Sequence, residues 1–447
     1  MMGRFFSETR ASMSVVVGLS IIPILVAGGA ALDLERAINA RTILQSSLDA
    51  AALYAAGLPS STTAASLTTA AQNYVTANYS DAGEAVLSNF KVTTDATSLT
   101  ASGTVTMNTY MMTLVGIDTL TVNASSTVKR QGAKLQVAMV LDNTGSMASS
   151  GKLPAEIAAA NSLVSQLKAL VVNPGDVYVS VVPFVDVVNV GSSNSSANWL
   201  TWADYGSCNV TTSSWWGGSS TQRLAVYTKQ QCTLNGGTWT AYASSARSSW
   251  GGCVTDRGGV TGPDAGNYDS NNATPNPSVP ASLFAATDAY GTGCPQQVSG
   301  LSYNWTAITS QINNMVANGT TNQNIGLQHG WMTLTGGGPY TVPAVNPSDT
   351  YIKAVVLLTD GLNNVNHWYY GDQTSIDARQ TLTCNAMKAQ GIIIYTIEIS
   401  TDGTPLSPLL QNCATDASHF FYLTNASQVV TTFNNIGNNL GKMYLSQ

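Results

Sequence analysis

Two short apolar runs in the second half of the chain end in aspartate. Asp142 follows Leu135–Leu141 (LQVAMVL), and Asp360 follows the run that closes on VVLLT. Thr144 and Ser146 come after Asp142 at two-residue steps, so one turn offers a carboxylate and two hydroxyls on alternate positions. A hard divalent cation takes oxygen ligands, and Mg2+ takes them in near-octahedral array; this turn supplies three. A single Asp-x-Thr-x-Ser turn often does no more than cap a helix. A second aspartate at another strand end raises the pair above that. Two carboxylates could also share hydrolytic acid and base work, but hydroxyl neighbours favour cation binding over proton transfer.

Other reactive constellations are missing from the sequence. The three histidines, His329, His367 and His419, form no H-E-x-x-H, and there is neither a G-x-S-x-G elbow nor a G-x-x-x-x-G-K-[ST] loop. His329 lies beside Trp331 in a helical stretch, where packing is the simpler role. Lys plus Arg (18) against Asp plus Glu (24) gives a net charge of -6, and charged residues are 9% of the 447. That is far below the usual ~25% and disfavours a nucleic-acid binder. The reading is a binding protein, not an enzyme.

The aspartates need a frame. Short apolar runs recur as Leu135–Leu141, Val177–Val185, Ile352–Gly361, Gly391–Ile399 and His419–Thr424, with helical stretches between most of them. Continuous apolar strands alternating with helices predict an α/β fold: a doubly wound, mainly parallel sheet covered on both faces. In such sheets ligands sit at the carboxyl ends of the strands, beside a switch point in strand order.

The N-terminus has a different character. Ala11 to Leu32 contains no ionisable side chain, and Met13 to Leu32 is nearly all apolar, about the length that crosses a bilayer core. A cleaved signal peptide has an apolar region of about 7 to 15 residues, so an uncleaved single-pass anchor is expected. Arg4 and Arg10 before the span, with Asp33 and Glu35 after it, place the N-terminus in the cytoplasm and the bulk outside. Helical spacing of Leu34, Ile38, Leu44, Leu48 and Leu53 carries the helix to about Ala56 as a pilin-like stalk, kinked at Pro23. The hexapeptide Gly3 to Glu8 (GRFFSE) superficially matches a prepilin cleavage site. A helix over Ala64 to Asn78 and alternating strands over Leu99 to Met107 and Leu120 to Val128 make a small α+β module. The expected domains are 1–60 (tail, membrane helix, stalk), 61–133 (module) and 134–447.

The last of these holds an insertion at about 191–300, rich in Ser, Gly, Asn and Trp. Trp199, Trp202, Trp215, Trp216, Trp239 and Trp250 form either its own small core or a contact surface, and the core is favoured because aromatics mostly pack inward. Cys208, Cys232, Cys253 and Cys294 read as a disulfide framework with three alternative pairings. Zinc is disfavoured because no C-x-x-C spacing is present. Cys384 and Cys413, on either side of GIIIYTIEI, are expected to pair. On the chain-entropy account, closing that loop contributes roughly 3 to 4 kcal/mol.

The strand-end residues resemble the von Willebrand factor type A domain and its metal-ion-dependent adhesion site, whose pattern is Asp-x-Ser-x-Ser, then a Thr, then an Asp on three loops. The resemblance assigns Asp142, Thr144 and Ser146 to the first loop and Asp360 to the third. For the second it assigns Thr321, with Thr320 next. Thr144 stands where the family has Ser; the hydroxyl survives, and the added methyl bears on metal affinity. The resemblance implies a bound divalent cation, Mg2+ foremost with Ca2+ or Mn2+ as alternatives, whose last coordination position takes an acidic side chain from a partner.

The whole chain is similar to TadE/TadG-like proteins of tight-adherence (Flp) pilus assembly. The basic tail, the single membrane helix running into LERAINARTILQSSLDAAALYAA, and stretches such as TNQNIGLQHGW, VVLLTDGLNN and AMKAQGIIIYTIEI carry that likeness. It implies a bacterial inner-membrane protein whose bulk is periplasmic or exposed in the pilus, with pilus subunits or assembly proteins as partners. A surface adhesin that binds a host or matrix ligand through the same site is the alternative.

Overall fold

The computed structural model describes residues 9–58, 62–79, 85–94, 98–129, 134–171, 173–213, 216–258, 268, 270–345 and 349–445. The Gly3–Glu8 hexapeptide and Trp215 lie outside them. The chain divides into two compact units, one reaching to Gly132 and the other spanning Ala133–Tyr444.

In the first unit, α1 (Thr9–Ala56) is one helix of 48 residues with Pro23 inside it. Among the described residues it is the helix long and apolar enough to cross a membrane. Val16, Val17, Leu19, Ile21, Ile24, Leu25 and Leu32 are exposed along it. Beyond Asp33 the helix buries one face against α2 (Ala64–Asn78) and an antiparallel sheet ordered β1 (Ala85–Thr94), β2 (Ser98–Asn108), β3 (Thr119–Lys129). Thr63 caps α2 by accepting the Ser66 N–H. The helix ends at Ala56, where its leucine spacing carries it, and its buried face takes only part of those leucines. Leu44 and Leu48 are buried, but Leu34, Ile38 and Leu53 are 57–62% exposed, and Ala37, Ala40, Ala51, Ala52 and Ala55 complete the stripe. Small side chains let helix and sheet approach closely, so the alanines fill most of the packed face around Leu44 and Leu48, and Leu34, Ile38 and Leu53 are left outside.

The second unit is built on β4 (Lys134–Asp142), β5 (Val177–Phe184), β6 (Val188–Asn189), β7 (Cys253–Val254), β8 (Ser299–Ser302), β9 (Tyr351–Thr359), β10 (Ile393–Ile399) and β11 (Phe420–Leu423). Its helices are α3 (Lys152–Leu170), α4 (Trp305–Asn313), α5 (Gln323–Thr335), α6 (Gln373–Ala389) and α7 (Gln428–Leu445). The sheet runs β7-β6-β5-β4-β9-β10-β11, and β8 pairs with β5. The neighbours from β5 through β11 are parallel; β6, β7 and β8 pair antiparallel. Leu135–Asp142 and the whole of β5 are buried at every position. Since alternate strand residues face opposite sides, both faces of these central strands are covered. From β4 the chain steps to β5 on one side and later resumes at β9 on the other. The strand order therefore reverses between β4 and β9, where a crevice forms at the carboxyl ends.

α5 crosses this centre closely. Phe184 and Val140 atoms lie 2.8 Å from where a Cβ on Gly326 would stand, and Val140 lies 2.7 Å from one on Gly330. Glycine costs a helix roughly 1 kcal/mol relative to alanine; here it lets the backbone sit on the sheet.

The insertion contributes a hairpin, Gly206–Ser213 with Ser219–Leu224, extended by Thr238–Ala241. Its tryptophans differ in burial. Trp250 is 2% exposed and its indole N–H reaches the Cys253 and Thr287 carbonyls. Trp202 packs edge-on against it, and Trp199 against Phe284. Trp216, in the hairpin turn, is 94% exposed. The disulfides are Cys208–Cys232, Cys253–Cys294 and the expected Cys384–Cys413, which excludes these thiols as zinc ligands.

A candidate cation site at the strand ends

Eight register pairs hold β4 beside β9, with Leu141 opposite Leu358, so Asp142 and Thr359 come level at the carboxyl ends. Asp142 is fully buried. Its Oδ1 accepts the Thr144 N–H at 2.7 Å and its Oδ2 accepts the Thr359 hydroxyl at 2.6 Å. The first contact turns the loop back on itself, leaving the Thr144 and Ser146 hydroxyls 3.0 Å apart. The Ser146 hydroxyl donates to Asp360 Oδ1 at 2.6 Å. The two aspartates and two loop hydroxyls are thus joined in one network.

Thr321 precedes α5 and is 4% exposed. Its N–H donates to Asn364 Oδ1 at 2.8 Å. A Cβ on Gly361 would stand 3.9 Å from both the Ser146 and Thr321 hydroxyl oxygens, so these two oxygens flank the same point. Thr320 is engaged elsewhere, donating to Asp186 Oδ2 at 2.6 Å. Of the two threonines, Thr321 faces the aspartates' network. The loops are also tied through their backbones: the Gly145 N–H donates to the Gly319 carbonyl at 3.0 Å, and the Asn318 N–H to the Asn143 carbonyl at 2.7 Å. A Cβ on Gly145 would lie 3.2 Å from that Gly319 oxygen, so glycine permits the close approach.

Two charged residues not singled out in the sequence complete the site. Lys152, at the start of α3, sets its Nζ 2.7 Å from Asp360 Oδ2 with its side chain 7% exposed. Glu156, one turn on and fully buried, accepts the Asp142 N–H at 2.9 Å, while its Oε2 has no partner. Three buried carboxyl groups are therefore linked here, and one of them, Asp360, is paired with an ammonium. Burial, followed by the nearby Asp360 charge, pushes Asp142 up to about 6. Burial and then Asp142 push Glu156 well above the usual carboxylate range. The excess negative charge is met either by protons or by a cation.

Among the described residues no group of three or more His, Cys, Asp or Glu is arranged to hold a metal ion. A cation here would depend on Asp142 and Asp360 together with the neutral hydroxyls of Thr144, Ser146 and Thr321. That all-oxygen set, with surplus buried negative charge behind it, fits a hard divalent ion. Mostly neutral oxygen ligands leave such an ion electrophilic toward an incoming anionic oxygen.

Among solved structures, the pilus adhesin SpaC from Lactobacillus rhamnosus GG matches at 11% identity and TM-score 0.36, over 82% of this chain and 36% of that one. The von Willebrand factor domain of the type V pili tip protein Mfa5 from Porphyromonas gingivalis matches at 11% identity and TM-score 0.37, over 70% of this chain and 97% of that one. Proximal thread matrix protein 1 from the mussel byssus, solved with a zinc-occupied MIDAS motif, matches at 13% identity and TM-score 0.33, over 69% of this chain and 46% of that one. The chain thus spans about a third of SpaC and about half of the byssus protein. A search of curated protein sequences finds no match. Residues 11–58, the membrane-compatible helix and its continuation, match the family model for Flp pilus-assembly TadE/G-like proteins.

Proposed function

We propose that this chain is a membrane-anchored, extracytoplasmic binding protein of Tad/Flp pilus biogenesis, acting in assembly, in anchoring or as a minor pilus component. It engages a protein partner through a divalent cation held by Asp142, Thr144, Ser146, Thr321 and Asp360 in a von Willebrand A-type, doubly wound domain. The observation that carries the reading is the convergence of Asp142 and Asp360 with the Ser146 hydroxyl at the point where the strand order reverses. The family match over 11–58 supports the pilus context. Bound there, the ion would accept a carboxylate from the partner. The chain's own residues supply the oxygen ligands, orient the loops through the Asn143, Gly145 and Gly319 backbone contacts, and keep Asp142 from water. α1 crosses the inner membrane once, with the N-terminus cytoplasmic and the rest outside.

Calorimetric titration of Mg2+, Ca2+ and Mn2+ into the full chain in detergent micelles, beside Asp142→Ala, tests this. Saturable binding that the substitution abolishes supports the site. No heat with either protein leaves a scaffold domain without an adhesion site.

The exposed Trp216 favours a second reading, a surface adhesin using the same cation. Deleting the gene separates the two, since loss of surface fibres marks assembly, and intact fibres with lost ligand binding mark adhesion.

A further inference from the structure

The first unit carries an apolar loop that its own core does not use. Between β2 and β3, residues 110–117 read YMMTLVGI, without a charge. Tyr110, Leu114, Val115 and Ile117 are 62%, 69%, 55% and 41% exposed. Isolated exposed apolar residues are ordinary, but a contiguous patch marks an interaction surface.

The loop's position says what covers it. Asp33, the first charged residue after the apolar run of α1, is buried and accepts the N–H groups of Tyr110, Met111 and Met112 at 2.8–2.9 Å. Met111 reaches further down the helix: a Cβ on Gly29 would overlap its side chain, so glycine there makes room for the loop. Gly29 lies four residues before Asp33, about 6 Å down a helix and inside the apolar segment. The loop is therefore pinned beside the end of the span, not beyond it. Arg36 lies 3.9 Å over the Tyr110 ring, an Arg–Tyr pairing suited to the level where lipid meets water.

We infer that the 110–117 loop is a second membrane contact, with Leu114, Val115 and Ile117 entering the outer interfacial layer of the bilayer that α1 crosses. The loop and span together hold the first unit at a fixed height against the lipid, where a helix alone would leave it free to tilt. The inference rests on the anchor reading of α1. The competing occupant of this face is a second protein chain.

The test uses single cysteines, which label selectively because all six native cysteines are in disulfides. Leu114→Cys, Leu19→Cys within the span, and Thr94→Cys, roughly 30 Å along β1 from the strand end nearest the loop, are each labelled with the polarity-sensitive dye NBD. The full chain is reconstituted in phosphatidylethanolamine–phosphatidylglycerol vesicles containing lipid spin-labelled near the headgroup or deep in the acyl chain. The inference expects blue-shifted emission at Leu114, quenched several-fold more by shallow than by deep label, deep quenching at Leu19, and no quenching at Thr94. Quenching at Leu19 without any at Leu114 overturns the loop contact and leaves the anchor intact; in that case a protein partner covers the face. Absence of quenching at Leu19 overturns both.

Discussion

Lys152 tests the charge balance of the strand-end site directly. Its Nζ stands 2.7 Å from Asp360 Oδ2 and both side chains are nearly or wholly buried, beside the buried Asp142–Glu156 contact. Removing one partner of a buried pair costs about 3 to 5 kcal/mol, because the other is left uncompensated. Lys152→Met keeps most of the side-chain volume, so in chelator the variant should unfold with a stability lower by about that amount. The same ammonium competes with a divalent ion for Asp360. If that competition is worth about 3 kcal/mol, then at 1.4 kcal/mol per decade the variant binds Mg2+ roughly a hundredfold tighter. Mg2+ at a hundred times its dissociation constant then restores about 2.7 kcal/mol. Urea unfolding in chelator and in Mg2+, with calorimetric titration of both proteins, reads all three quantities. A variant that unfolds at the wild-type urea concentration in chelator, or binds Mg2+ no tighter, would refute the reasoning.

Other consequences follow from single contacts. Burial pushes Asp186 from its ordinary 3.8 to about 6. A raised carboxyl stabilises fully below about pH 4, and that contribution is lost as pH climbs to about 6, on the order of 3 kcal/mol. Asp186→Asn still accepts from Tyr227 and Thr320 and does not ionise, so its stability relative to wild type should rise by that amount between pH 4 and pH 7; a pH-independent difference in denaturant unfolding would contradict this. Gly326→Ala should cost about 1 to 3 kcal/mol despite alanine's better helix propensity, because its Cβ meets Phe184 and Val140 at 2.8 Å; an unchanged denaturation midpoint would show that α5 can move off the sheet. Replacing Cys384 and Cys413 together by alanine should lower stability by roughly 3 to 4 kcal/mol, read as a shifted urea midpoint against the oxidised wild type.

What could be read from the residues, and what could not, follows from how each feature is built. The parallel strands were legible because burial on both faces requires every position to be apolar or hydrogen-bonded inside, so LQVAMVL and VVLLT stand out as runs. Asp142, Thr144 and Ser146 were legible because alternate spacing in one turn is a local property. Asp360 was nearly so, since a carboxylate ending such a run lies at the sheet's carboxyl edge. Lys152 and Glu156 were not. At i and i+4 on a helix they look like a solvated surface pair; the contact of α3 with the end of β4 sets Glu156 under Asp142, and the pairing of β4 with β9 brings Asp360 to Lys152. The stalk was legible as a helix, but its buried face was not. Spacing of the large residues carries the helix to Ala56 but does not say which of them pack: the sheet approaches along the alanines with Leu44 and Leu48, and Leu34 and Ile38 remain exposed beside the end of the span. Periodicity counts apolar residues without weighing how closely a neighbour can come. Where the sheet seats on this helix, alanines line the interface beside Leu44 and Leu48, and Leu34, Ile38 and Leu53 are left exposed for lipid or a partner. The same weighing separates Gly29, which admits Met111, from Leu114 and Val115, which stay 69% and 55% exposed.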